Sequence, residues 1–267
     1  MTAPVPTLRC EVPESSSDLV ITLLFEAGAT AVSERDMPGG VELRAGFEST
    51  QAATAAIAKL GGRGSARLEA VAGDDWVLSQ RQWIDPIRVG RFSVRAPWHK
   101  SSAPIDPDEI ALVIDPGAAF GHGGHPTTSL LLEMIPGLIE PNLTVLDVGT
   151  GTGVLAIAAA MLGGGVTAVD TDPAALDVAR ANVTRNGVED GVVVQAATPS
   201  TPLAADLALV NLTISGHRAV APRLGSTPIV AASGILDHQL DELLELYLPR
   251  SATVTNRSSD WIATVLT

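Results

Sequence analysis

The chain has 267 residues, 46% of them hydrophobic and 18% charged, enough for two packed domains and too apolar for a disordered chain. A net charge of -13 argues against a general nucleic-acid binder, which needs a basic face to release counterions. A single cysteine, Cys10, excludes an internal disulfide framework and a cysteine-built zinc site. No apolar run approaches the roughly 18–20 residues of a membrane span, and no basic-then-apolar leader opens the chain. The expectation is a cytoplasmic protein of two domains without a membrane partner.

Residues 1–72 alternate short strands and helices. Leu8–Val12 is a short alternating run, and Glu14–Ser17 carries helix-capping chemistry before the apolar stretch Leu19–Phe25, which Gly28 stops. Val32–Asp36 and Val41–Phe47 read as a hairpin around Pro38-Gly39-Gly40, because glycine reaches the positive φ of tight turns. An alanine-rich helix over Thr50–Leu60 and a strand through Ala66–Val71 complete a βαββαβ order, the pattern of a small ferredoxin-like α+β sandwich. Cys10 reads as a small buried hydrophobe in the first strand. No catalytic group clusters in this segment.

Residues 73–104 form a connector that holds Trp76, Trp83 and Trp98, three of the four tryptophans. Such side chains seek burial, so the connector is expected to pack against its neighbours. A short strand is expected around Val89–Val94.

From residue 105 to 267 the pattern becomes regular strand–helix alternation. Leu143–Val148 is a strand followed by Gly149-Thr150-Gly151-Thr152-Gly153 and a helix from Val154 to Leu162. Val166–Asp170 ends on an acid, and Pro173 opens a helix running to about Arg185. Further strands are expected at Val192–Ala196, Leu207–Asn211 and Ile229–Ser233, with helices near Ser215–Arg223 and Asp237–Tyr247. The strands Thr253–Asn256 and Trp261–Leu266 form a terminal hairpin. This is an α/β, Rossmann-like, mostly parallel sheet covered on both faces, with ligands bound beyond the carboxyl ends of its strands.

Four features meet at that edge. Gly149, Gly151 and Gly153 let the backbone approach a ligand. Asp170 offers an acceptor-only carboxylate suited to both hydroxyls of a ribose, and Asn211 offers an amide with donors and an acceptor. Asp147 orients the loop or a cationic ligand group. The spacing G-x-G-x-G differs from G-x-G-x-x-G of dinucleotide folds, and no G-K-[ST] is present, so the pocket suits a ligand without phosphate. S-adenosylmethionine, with a ribose, an adenine and a cationic sulfonium, fits those features; a dinucleotide fold with a variant turn is the alternative.

The segments Gly117-Ala-Ala-Phe120-Gly121-His122-Gly-Gly-His125-Pro-Thr127-Thr128 and Leu146-Asp-Val-Gly-Thr-Gly-Thr-Gly-Val-Leu-Ala-Ile-Ala158 make the resemblance specific. So do Ala168-Val-Asp-Thr-Asp-Pro173, Ala179-Arg-Ala-Asn182 with Asn186-Gly187, and Ser233-Gly-Ile-Leu236 with Gln239. The chain resembles the PrmA family, bacterial methyltransferases of ribosomal protein L11, over nearly its whole length. The resemblance implies a ferredoxin-like substrate-recognition domain (1–72), a Trp-rich linker (73–104) and a class I methyltransferase domain (105–267) using S-adenosylmethionine and releasing S-adenosylhomocysteine. It places cofactor contacts at Thr128, Gly149, Asp170 and Asn211, with Gly151, Gly153 and Phe120 beside them. The candidate catalytic groups are Asn211, expected with the backbone after it to position the amine, and His125, a titrating helper or else a histidine that hydrogen-bonds to fix the covering loop. The implied acceptors are lysine ε-amines and an N-terminal α-amine of ribosomal protein L11 or a similar basic protein.

Two positions depart from the family's pattern. His122 stands where the family carries a small hydroxyl residue, and Asn211-Leu212-Thr213-Ile214 stands for Asn-Ile-Leu-Ala, which puts a polar group beside the acceptor channel. A different protein or small-amine acceptor is therefore the second reading, and a catalytically silent cofactor- or ribosome-binding protein the third. His122 and His125 lack the further ligands a metal site needs.

Overall fold

The computed structural model describes residues 4–72, 85–99, 107–117, 123–198, 201 and 203–267. The chain divides into two compact units, Met1–Ile84 and Asp85–Thr267.

In the first unit, β1 (Pro4–Val12), α1 (Ser17–Glu26), β2 (Ala29–Met37), β3 (Gly40–Phe47), α2 (Thr50–Leu60) and β4 (Ser65–Ala72) follow in chain order. The four strands form an antiparallel sheet in the order β2-β3-β1-β4. Strand periodicity explains the core: Leu8, Cys10 and Val12 of β1 and Val41, Leu43 and Ala45 of β3 point to one face and pack beneath Val20, Ile21 and Leu24 of α1 and Ala53, Ala56 and Leu60 of α2. Burial pushes the Cys10 thiol up to about 11, so it packs as an apolar group. Gly39, at φ 95°, turns the β2–β3 hairpin, and α2 is capped by Ser49, whose hydroxyl accepts from the Ala52 amide at 3.1 Å. The capping expected at the start of α1 is absent. Ser16 makes no side-chain cap, and Ser17 instead donates to Glu34 at 2.6 Å, tying the helix to β2.

The second unit opens with β5 (Ile87–Val89), β6 (Phe92–Arg95) and β7 (Ile110–Val113), a small sheet in that order. The single strand expected over 89–94 is thus a hairpin, because Gly90 adopts φ 55° and reverses the chain. Residues 85–99, placed in the connector by sequence, lie in this unit, with β6 pairing in parallel with β7. Trp76 and Trp83 lie outside the described residues.

The remaining elements are α3 (Pro126–Met134), β8 (Thr144–Val148), α4 (Val154–Met161), β9 (Gly165–Asp170), α5 (Pro173–Asn186), β10 (Val192–Ala196), β11 (Leu207–Asn211), α6 (Ile214–Val220), β12 (Ile229–Leu236), α7 (Leu240–Leu246), β13 (Ala252–Ser258) and β14 (Trp261–Leu266). Helices α6 and α7 are shorter than expected, since 3-10 turns take up 221–223, where Pro222 interrupts the helical ladder, and 237–239. The seven strands order as β10-β9-β8-β11-β12-β14-β13, with parallel pairing as far as β12 and an antiparallel terminal hairpin. This is the class I methyltransferase fold.

Along β8 and β11, successive side chains alternate between two separate cores: Val145, Leu207 and Leu209 in one, Leu146, Val148, Ala208 and Val210 in the other. The first is closed by α3 and α4, the second by α6 and α7, so both faces of the sheet are covered. Strand order reverses between β8 and β11, and a crevice at such a switch point lies beyond the carboxyl ends of the strands. Among the described residues no helix is long and apolar enough to cross a membrane.

Candidate active site at the carboxyl ends of the parallel strands

The glycine turn after β8 is built by backbone geometry that side chains would forbid. Gly149, Gly151 and Gly153 adopt φ values of 72°, 53° and 83°, all left-handed. The amides of Gly149 and Thr150 both donate to the Val169 carbonyl, at 2.9 and 3.0 Å, which ties the turn to β9. A Cβ on Gly149 would stand 2.5 Å from Leu212 Cδ2, so glycine lets the turn and the residue after Asn211 touch.

Beneath the turn, Asp147 is buried and its Oδ2 accepts from the Thr150 hydroxyl at 2.6 Å. Burial pushes its carboxyl up to about 7, against the lowering effect of the Thr150 and Ala156 hydrogen bonds and with a smaller push from Asp170. Asp147 therefore orients the loop, one of the two roles expected of it.

Asp170 ends β9 half-buried. Its Oδ2 accepts from the Gly151 amide at 3.0 Å and its Oδ1 from the Asp172 amide at 3.0 Å. Two of a carboxylate's roughly four acceptor positions are filled, and two are left for a pair of hydroxyls. On the other side of β8, Asn211 ends β11, and its Nδ2 donates to the hydroxyl of buried Thr128 at 3.1 Å. Thr128 lies in the first turn of α3, whose N-cap is His125: the ring Nδ1 stands 2.9 Å from Thr127 Oγ1 and accepts from the Thr127 amide at 3.4 Å. The His125 ring meets Trp261 of β14 edge-on, with centroids 4.9 Å apart.

The structure thus brings Gly149, Gly151, Gly153, Asp170, Asn211 and Thr128 to one edge, with His125 at the head of α3. Phe120 and His122 lie outside the described residues. Residues 8–267 match the model of the ribosomal protein L11 methyltransferase (PrmA) family.

The chain belongs to the PrmA family.

A ribosomal protein L11 methyltransferase of Myxococcus xanthus is 33% identical over 278 residues, covering 96% of each chain. One from Dechloromonas aromatica is 40% identical over 208 residues, 73% of this chain and 67% of the relative. The crystal structure of a ribosomal protein L11 methylase from Lactobacillus delbrueckii subsp. bulgaricus superimposes with a TM-score of 0.59 at 28% identity, covering 66% of this chain and 94% of that one.

As a PrmA-family methyltransferase the protein takes its methyl group from S-adenosylmethionine, and the donor set fits that ligand. Two open acceptor positions on Asp170 suit a ribose diol, and its carboxylate at the edge of the turn favours a cation over a phosphate. No lysine or arginine occurs between Asp147 and Asp172.

Several residues that shape this PrmA site carry no chemistry legible in the sequence. Asn182, fully buried on α5, donates to the Thr152 carbonyl of the glycine turn and to the Asp115 carbonyl, both at 2.9 Å, while its Oδ1 accepts from the Asp115 amide. One turn later Asn186 brackets Val113 in the same way, through its amide and carbonyl at 2.8 Å each. The two asparagines thereby hold the chain leading from β7 against the turn. Both stand in segments that carry the family resemblance, and their i, i+4 spacing puts them on one helix face. Thr213, the departure from the family's pattern, shares a hydrogen bond of 2.9 Å with Ser215 at the start of α6.

Proposed function

We propose that this protein transfers methyl groups from S-adenosylmethionine to lysine ε-amines or the N-terminal amine of ribosomal protein L11, with residues 1–72 recognising that substrate. The observation that carries the reading is the meeting of Asp170, the glycine turn, Asn211 and Thr128 at the sheet's switch point, in a chain matched to the family from residue 8 to 267. The chain's negative charge suits a basic protein partner.

When bound, S-adenosylmethionine supplies an electrophilic methyl on a sulfonium. Asp170 would hold the ribose hydroxyls, and the Gly149–Gly153 backbone would lie against the nucleoside. Thr128 fixes the Asn211 amide, which leaves Asn211 Oδ1 to accept a hydrogen bond from the incoming amine and align its lone pair. A lysine amine has an ordinary pKa of about 10.4, so it must lose a proton before attack. Removal from water lowers that value, and so does a neighbouring positive charge. Alignment and desolvation then supply the rate without a dedicated base. His125, whose Nδ1 is engaged at Thr127, serves as the cap that sets α3 and Thr128 in place.

The test incubates the purified protein with labelled S-adenosylmethionine and a cell extract lacking the enzyme, followed by mass spectrometry. Label on ribosomal protein L11 amines is expected. Asp170→Ala is expected to abolish both cofactor binding and labelling. Label confined to another molecule overturns the acceptor assignment, and unchanged cofactor affinity in Asp170→Ala overturns the ribose contact.

A further inference from the structure

Behind the Asn211 turn lies a buried polar chain that no step above uses. His217, on α6, is wholly inaccessible, and its Nε2 stands 2.8 Å from the Ser233 carbonyl. A carbonyl only accepts, so Nε2 carries the proton and donates. The other ring nitrogen, Nδ1, lies 3.0 Å from the hydroxyl of buried Tyr247, with the two rings edge-on at 5.8 Å. Burial lowers the imidazole's pKa to about 4, overriding its hydrogen bonds to the Ser233 and Leu212 main chains. The ring is therefore neutral at pH 7, and Nδ1 accepts from the Tyr247 O–H.

The Ser233 carbonyl accepts a second hydrogen bond, from the Leu212 amide at 3.1 Å. Ser233 is itself pinned, since its hydroxyl donates to the Ile262 carbonyl of β14 at 2.8 Å. Three glycines let Leu212 seat at this place. A Cβ on Gly149 or Gly216 would crowd its side chain, at 2.5 and 2.8 Å, and a Cβ on Gly234 would stand 2.3 Å from its carbonyl oxygen. Gly234 lies at φ 91° where the β12–β14 register shifts, so the strand bulges to receive the turn.

We propose that His217 is a positioning residue for methyl transfer, clamping the turn after Asn211 to β12 through the shared Ser233 carbonyl so that Asn211 faces the amine. The inference rests on the reading that Asn211 aligns the acceptor. An apolar side chain of similar volume would fill the space without a desolvation cost, yet it would leave the Ser233 carbonyl held by Leu212 alone and the Tyr247 hydroxyl without its acceptor. The histidine instead joins β12, α6 and α7 at the one carbonyl next to the turn.

The clamp is tested in the full-length protein. Nitrogen-15 spectra of its histidines are expected to show one neutral, Nε2-protonated ring that does not titrate from about pH 5.5 to 8; an Nδ1-protonated or titrating His217 overturns the clamp. His217→Phe is expected to lower kcat on ribosomal protein L11 by about tenfold or more, as a small misplacement of an aligning group does. Its KM and its affinity for S-adenosylhomocysteine are expected within about threefold of wild type. His217→Gln, which restores a donor to Ser233, is expected to recover most of the loss. Wild-type turnover in His217→Phe, or equal loss in both variants, overturns the proposal. Should His217→Phe fail to fold, His217→Leu, which also lacks a donor to the Ser233 carbonyl, is expected to show the same fall in kcat, and wild-type turnover there overturns the proposal. Asn211→Ala separates the two claims. Loss there with full activity in His217→Phe removes this inference alone, whereas full activity in Asn211→Ala removes the reading beneath it.

Discussion

Asp147 is an acid whose protonation belongs to the fold. Its carboxyl is pushed up to about 7 by burial, so the folded protein holds this proton more tightly than the unfolded chain. The stability this contributes is fully present below about pH 4 and is lost as pH rises through about 7. Asp147→Asn keeps an acceptor for Thr150 and carries no charge. Melting temperatures across pH 5 to 8 are expected to decline less in that variant than in wild type, and parallel declines would show that Asp147 stays ionised. Glu42 is a side chain with no exposed surface, paired to Arg9 and, at 3.1 Å, to Arg44. Glu42→Gln takes away the buried charge, while the arginines around it reach solvent and Arg9 keeps Glu11, so a loss of about 1–3 kcal/mol is expected, measured by denaturant unfolding. Strand alternation puts Glu42 on the face of β3 opposite Val41, Leu43 and Ala45. Only the register of β1, β2 and β3 shows that Arg9, Arg35 and Arg44 close over it.

Strand β12 shows what a single element adds to the site. The sequence reading ends this strand at Ser233, yet it runs on to Leu236 with Gly234 inside it, and an interior glycine marks a bulge or a close backbone approach. Both occur at Gly234, where the register slips and the Leu212 carbonyl comes close. Gly234→Ala would combine a left-handed φ with a Cβ 2.3 Å from a main-chain oxygen, and neither can relax without moving the turn. Its expected outcome is a loss of about 1–3 kcal/mol in unfolding free energy together with a fall in kcat. Stability lost with turnover intact would show that the bulge serves packing only. Helix α5 makes a similar point. Its sequence carries the Pro173 start and the Gly187 stop, and Gly187 does adopt φ 66°. The role of Asn182 and Asn186 as braces for β7 and the glycine turn depends on partners 30 to 73 residues away along the chain.

Across the whole molecule, the apolar clusters follow the two units. Among the described residues, the core of the first unit draws on residues 8–66 and the cores of the second on residues 87–266, with no member in common. Each unit therefore has its own hydrophobic reason to fold. A fragment of residues 85–267 is expected to bind S-adenosylhomocysteine with wild-type affinity by calorimetry and to methylate ribosomal protein L11 at well under a tenth of the wild-type rate. Equal rates would remove residues 1–72 from substrate recognition.

Order of elements, the glycine turn, the acid ending β9 and the amide ending β11 were all written in local sequence, because alternation, helical spacing and turn chemistry act over a few residues. Even the boundary errors were local: a hairpin taken for one strand at Gly90, and 3-10 turns taken for helix at 221–223 and 237–239. What only tertiary structure decided were the pairings across distance. Thr128 meets Asn211 across 83 positions, Asn182 reaches Asp115 across 67, and His217 shares the Ser233 carbonyl with Leu212. Such contacts depend on strand order and on the packing of one helix against one turn, and burial alone turns an unremarkable histidine or asparagine into part of the site.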